Sequence, residues 1–244
     1  MSRISSLTGF LSLIAITITI PAKGQIDING ALNTINQNLG QGLSNDKIVA
    51  GLKEALSKGT NTSSTQASAV DGFYGNSIIK IPFPSEAQEM QKTLVKMGME
   101  KQTEDFVKSL NRAAEDASKK AAPIFLNAIK TMSISDGVNI LRGDSIAATK
   151  FLQSKTTEEL KLAFAPIVKS SLETAQVYSY WKPLAKTYNR IPMVKRVNPN
   201  MEEYVTTKAI EGLFKLISQQ ETKIRKDPAA TGSALITEVF GKRP

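Results

Sequence analysis

Few residues in this chain have the types and spacing to do chemistry, and those types limit what the chemistry can be. "NRAAED" places Arg112 with Glu115 and Asp116 three and four positions on. On a helix that is the spacing of an intrahelical ion pair. It suits either a structural salt bridge or an anion site at Arg112 oriented by Glu115, and both readings stand at this stage. Glu115 and Asp116 are adjacent, so on a helix they point about 100° apart and do not flank one substrate as a general acid and base. Asn127 falls between Ile124, Ala128 and Thr131, on what the spacing predicts to be an apolar face. A buried Asn must find hydrogen-bond partners. The backbone freed by Pro123, or a neighbouring helix, is the expected one.

The stretch "VYSYWKPLAKTYNRIP" holds the only Trp and three of the five Tyr. Drawn as a helix, it puts Trp181, Leu184, Ala185, Tyr188 and Ile191 on one face, and Lys182, Lys186 and Arg190 together on another. Pro183 then belongs in or near the first turn. Trp181 and Tyr188 read most simply as core anchors with polar tips reaching a partner. The competing reading is a binding platform. Tyr178 and Tyr180 lie before the stripe, and aromatics flanked by Lys also hold sugars and headgroups. Lys169, Lys208, Lys223, Arg225 and Lys226 form a second candidate, a basic patch if their helices adjoin, and otherwise are solvated helix faces. The candidate ligand-binding set is therefore Arg112, Glu115, Asn127, Lys169, Tyr178, Trp181, Tyr188, Tyr204 and Arg225.

Composition excludes much else. The chain has no His and no Cys, which removes serine–histidine triads, thiolate nucleophiles, zinc proteases and disulfides. "DGVNILRGDS" lacks the alternating oxygen ligands of an EF-hand, and "GFYGNS" lacks the spacing of a phosphate or dinucleotide loop. No cofactor and no metal is expected. Any catalysis would run on Asp, Glu, Lys, Tyr, Ser or Thr, and an enzyme is the least supported reading.

Residues 1–24 read as an export signal. Arg3 precedes the apolar run "LTGFLSLIAITITI", which is short for a bilayer span, and Ala22 and Gly24 suit a cut before Gln25. The expectation is a periplasmic protein without a transmembrane span after cleavage. No Cys follows the run to carry a lipid. The formal charge is +9. Removing residues 1–24 removes Arg3 and Lys23 and no acid, so the balance stays positive. That favours an anionic partner such as lipid headgroups or envelope polysaccharide; export makes nucleic acid an unexpected one. An envelope protein partner is the alternative.

The elements that must position these residues are almost all helical. Residues 25–43 are rich in Asn, Gln and Gly and read as a mobile lead-in. Ser44 caps a first helix, with Leu43 and Ile48 as a hydrophobic staple. Thr60–Ala69 reads locally as a loop or a weak helix continuation. "DGFYGNSIIKIPFP" is non-helical, with an extended piece near residues 76–84 and no partner strand. Ser85 with Gln88 is read as a capping box, and Gly98 ends that helix. Pro123 breaks or kinks the long helix that follows, Gly143 divides two short ones, and Thr156 with Glu159 caps another, which contains Pro166. Asn198 and Pro199 are read as N-cap and N1 of a helix that Pro228 stops, and a last short helix closes the chain. The fold class expected is all-α: one multi-helix, bundle-like domain over residues 44–244 with kinked helices.

The segments "DGFYGNSIIKIPFP", "LNRAAEDA", "APIFLNAIKTM", "AFAPIVKSSL", "IPMVKRVNPNMEEYVTTKAIEGLF" and "IRKDPAA" occur here in order. Together they resemble the bacterial proteins grouped as domain of unknown function 4197, from about Leu43 to Gly241. The resemblance implies an exported, envelope-associated helical protein with no established activity. It also implies a helix over Thr60–Ala69. Relatives tend to carry a lipoprotein Cys and an Arg after "DPAA"; this chain has no Cys and has Thr231 there.

Overall fold

The computed structural model describes residues 43–241 apart from 191, 194, 195 and 199. The expected signal and nearly all of the lead-in lie outside the described residues. The helices in chain order are α1 (Asn45–Ser68), α2 (Gln88–Lys96), α3 (Glu100–Ser118), α4 (Ala121–Lys130), α5 (Ile134–Arg142), α6 (Ala147–Thr174), α7 (Val177–Tyr188), α8 (Met201–Lys226) and α9 (Ala234–Gly241). There is no strand among the described residues, so the fold is all-α.

Four long helices organise the molecule. α3 and α8 pack on each other, and each also packs on α1 and α6. α4 and α5 each bridge α1 and α6. α9 lies on α1, α2 on α3, and α7 on α6. One hydrophobic core runs through all of this, from Ile48 and Leu52 of α1 to Val239 and Phe240 of α9.

α8 occupies the centre because its apolar residues are spaced to face several neighbours. Val205, Ala209, Leu213, Leu216 and Ile217 are all buried. A Cβ at Gly212 would lie 2.7 Å from the Phe73 ring and 3.2 Å from Ile79, so glycine is what lets Phe73 seat against α8.

α1 continues through Thr60–Ser68, where local propensity reads as a loop or a weak helix continuation. Gly59 sits so near α8 that a Cβ there would be 3.6 Å from Gln220. Thr60, Ser63, Ser64 and Ala67, which follow, are buried. Small residues cost helix propensity but admit close packing, and tertiary burial decides the outcome. Thr60 also donates its hydroxyl to the Leu56 carbonyl, within its own helix.

Other sequence signals resolve differently from expectation. Thr156 caps nothing. Its hydroxyl donates to the Leu152 carbonyl at 2.7 Å, and α6 runs unbroken through it and through Pro166. Ser85 opens a short 3-10 turn and donates to its neighbour Glu86, so there is no capping box with Gln88. The capping box present is Ser133 with Asp136, and the Ser133 hydroxyl and backbone N–H hold the Asp136 carboxyl below its usual range. α8 is capped by Asn200, which accepts from Glu202 N–H; Asn198 instead accepts from Asn200 N–H in an Asx turn. Pro183 lies inside α7 rather than in its first turn. Ser44, Gly98 and Gly143 mark boundaries as expected, Gly98 with φ +80°. The helix is interrupted at Lys119–Lys120, which leaves Pro123 in the first turn of α4, where its missing N–H costs nothing.

The extended segment after α1 has no partner strand, yet its backbone is satisfied. Asn111, fully buried on α3, accepts from Ile81 N–H at 2.8 Å and donates to the Ile81 carbonyl at 2.8 Å. A side-chain amide thus makes the two bonds a neighbouring strand would make. Its second N–H donates to the Val107 carbonyl at 2.7 Å. Asn111→Ala leaves the Ile81 N–H and carbonyl buried and unpaired. Urea unfolding of this variant is expected to show a loss of about 2–4 kcal/mol; a loss under about 0.5 kcal/mol would contradict this role.

Candidate functional site

Arg112 and Glu115 meet each other, and both are fully committed. Glu115 is 3% exposed. One of its oxygens accepts from the consecutive N–H groups of Phe73 and Tyr74 at 3.1 and 3.2 Å. The other accepts from Arg112 at 2.5 Å. The remaining terminal nitrogen of Arg112 donates to Asp71 at 2.7 Å. Asp71 has φ +63°, a left-handed conformation that Asp tolerates. Hydrogen bonding to Glu115 raises the Arg112 pKa above the usual arginine value, against some desolvation, with Asp71 adding to the rise. The cluster pins the turn after α1 onto α3.

Arg225 makes the second such pair. Glu221, 8% exposed on α8, accepts from Ala148 N–H and Thr149 N–H at 2.9 and 2.8 Å, and from the Thr149 hydroxyl at 2.8 Å. These N–H groups belong to the first turn of α6, whose own N-cap residue, Ile146, supplies no side-chain bond. Glu221 therefore caps α6 from another helix and places a negative charge on the positive end of its dipole. Arg225 donates to Glu221 and to the Ile140 carbonyl at the end of α5, both at 2.8 Å, and stacks on Phe240 at 5.7 Å. Its other terminal nitrogen is buried without a partner among the described residues.

Of the second basic group, Lys223 and Lys226 are exposed on α8. Arg225 is buried, Lys208 pairs with Glu211, and Lys169 is exposed on α6. Asn127 is exposed as well, so the buried Asn of this fold is Asn111.

Tyr204 of α8 donates its hydroxyl to the Pro82 carbonyl at 3.0 Å, one residue past the Asn111 clamp. Burial pushes this phenol up to about 12, with Glu86 and Glu211 adding to the rise.

Trp181 is 1% exposed and belongs to the core. It stacks on Phe106 at 5.1 Å and meets Phe83 edge-on at 5.6 Å, and its indole N–H donates to the Asn198 carbonyl at 3.3 Å. This wedge fastens α7 to the body. Tyr178 is half-buried and packs on the core, with Lys182 4.4 Å above its ring. Desolvation raises the Tyr178 pKa, and the Glu202 and Glu173 charges raise it further. The Tyr188 side chain lies outside the described residues.

Two hollows matter. A pocket lined by residues of α1, α6, α8 and α9, among them Leu52, Ile217, Glu221, Arg225 and Phe240, has a volume of about 20 Å3. That is room for one water-sized molecule and not for an acyl chain. An open groove of about 490 Å3 is lined by Lys182, Lys186, Asn189 and Arg190. Its three cations are exposed. None of the three has a carboxylate partner among the described residues. Asn189 is occupied elsewhere: it accepts from Val197 N–H at 2.7 Å and donates to the Val197 carbonyl at 2.9 Å. No group of three carboxylates able to hold a metal ion occurs among the described residues.

The eight candidate residues with described side chains do not converge on one cleft. Arg112 with Glu115, and Arg225 with Glu221, hold the fold; Trp181 is core; among the described side chains Tyr178 reaches the groove, through Lys182. Sequence reasoning placed Lys182, Lys186 and Arg190 on one face but did not single them out as a site. Their four-residue spacing without an interleaved acid was the available signal. Glu221 carried no local signal, because its partners at Ala148 and Thr149 are distant in sequence.

Glu221→Gln strands the buried Arg225 charge and is expected to cost about 3–5 kcal/mol in urea unfolding, while Glu221→Gln with Arg225→Met recovers part of that loss. A double variant no more stable than the single one would contradict the pairing. Tyr204 stays neutral in the folded protein beyond the ordinary phenol pKa of 10.0. Its contribution to stability is therefore complete below pH 10 and is lost as pH rises towards 12. Tyr74 and Tyr178 are raised as well, so phenolate absorbance should show several late-titrating tyrosines, and Tyr204→Phe should remove the component that titrates at about 12.

No curated protein and no solved structure matches the chain. A family match extends over residues 42–241, from just before the cap of α1 to the end of α9. On that match the chain belongs to the family described as protein of unknown function (DUF4197).

Proposed function

We propose that this is an exported, non-catalytic protein of the cell envelope that binds an anionic envelope component along the cationic groove of α7. The observation that carries the reading is the groove itself: Lys182, Lys186 and Arg190 exposed together, with no carboxylate partner among the described residues. Three cations turned to one side attract phosphate or carboxylate groups strongly at low salt, and less as salt screens them. Export is supported by Arg3 and the apolar run Leu7–Ile20. No helix among the described residues is long and apolar enough to cross a membrane.

The charged residues suited to catalysis support an enzyme poorly. Glu115 and Glu221 are spent on backbone N–H groups, and Arg112 and Arg225 on those carboxylates. An interior lipid site is not supported by a pocket of about 20 Å3.

Titration of the protein, purified after expression of the full chain, with a soluble polyphosphate chain tests the reading. Binding is expected to weaken as salt rises, and Lys182→Ala with Lys186→Ala and Arg190→Ala is expected to weaken it at least ~10-fold while unfolding in urea stays unchanged. Equal affinity of the triple variant would remove the groove from the account.

A further inference from the structure

After α7 the chain is tied to the body at Asn189, Val197 and Asn198. Asn189 clasps both the N–H and the carbonyl of Val197, at 2.7 and 2.9 Å. Val197 is buried, and Trp181 bonds the next carbonyl, that of Asn198. The loop is thereby closed at its base on the body of the protein. Pro192 and Met193 lie between those fixed points, and both are exposed. Met193 is as exposed as a residue can be, at 104%, and its φ is +67°. A non-glycine residue at positive φ is unfavourable, and an unbranched apolar side chain wholly in water gains nothing in compensation. Arg190 and Arg196, also exposed, stand on either side of it in the chain. Lys182 and Lys186 continue the same charge along the groove. Glu173 and Glu202 lie near Tyr178, towards the other end of α7.

We infer that this end of α7 docks on an anionic lipid bilayer, with Met193 entering between headgroups while Arg190, Arg196, Lys186 and Lys182 lie against their phosphates. The inference rests on the groove reading above and names its partner. A soluble polyanion satisfies the cations but has no use for Met193. A bilayer interface takes both, since apolar insertion and attraction to anionic headgroups act together and neither suffices alone. Pro192 limits the conformations of the loop and reduces what ordering costs on insertion.

The absence of Cys gives a clean test. Met193→Cys, labelled with an environment-sensitive fluorophore, is mixed with vesicles of phosphatidylglycerol and phosphatidylcholine, with pure phosphatidylcholine vesicles, and with soluble polyphosphate. The expected result is a blue shift with the anionic vesicles alone. Met193→Ser is expected to lower affinity for those vesicles ~10-fold while leaving polyphosphate affinity unchanged. Polyphosphate binding with no blue shift on any vesicle would overturn the insertion and leave the groove reading standing. Binding to neither polyphosphate nor anionic vesicles would overturn both.

Discussion

Two buried carboxylates hold this fold together, and they do it in the same way. Glu115 and Glu221 each accept two consecutive backbone N–H groups from a distant part of the chain, and each is neutralised by an arginine on its own helix. Glu115 fixes the turn after α1 onto α3; Glu221 fixes the start of α6 onto α8. A carboxylate removed from water is costly unless its charge and its lone pairs are all answered. Here they are answered by groups that must themselves be placed correctly, so each pair ties two elements to one geometry. The four long helices pack around these two points.

The rest of the interior follows from what those ties bring close. With the turn after α1 held on α3, Phe73 reaches the space over Gly212 of α8, and Ile81 reaches the amide of Asn111. Tyr204 then bonds the Pro82 carbonyl, so the extended segment is held from α3 and α8 together. With the start of α6 on α8, α7 follows from its end and is locked by the Trp181 wedge between Phe83 and Phe106. α7 packs on α6 and, through Trp181, on Phe106 of α3, and its cationic face stays open.

The helical character and most boundaries were legible in the sequence because they depend on local signals: Ser44 as a cap, Gly98 and Gly143 as stops, and apolar spacing along α8. What was not legible depends on partners far away. Thr60–Ser68 reads by propensity as a loop or a weak helix continuation, and the burial of its small side chains makes it helix. Thr156 has the form of a cap and bonds back into its own helix. Asn127 and Asn111 both sit among apolar residues in sequence, and only the position of Ile81 separates the exposed one from the buried one. At the candidate site, the Lys182–Lys186–Arg190 stripe was legible from spacing. The clasp of Asn189 on Val197 and the left-handed Met193 were not, since neither residue type announces that conformation.

The buried carboxylates and their arginines are spent on holding the fold, which leaves recognition to the surface, where the groove of α7 gathers three exposed cations without a carboxylate partner among the described residues. Native-state hydrogen exchange, with and without phosphatidylglycerol vesicles, tests this division most directly. The amides of Phe73, Tyr74, Ala148 and Thr149 are predicted to exchange only through global unfolding in both conditions, with added protection confined to residues 177–198. Vesicle-dependent exchange at those four amides, or protection gained elsewhere, would contradict the account.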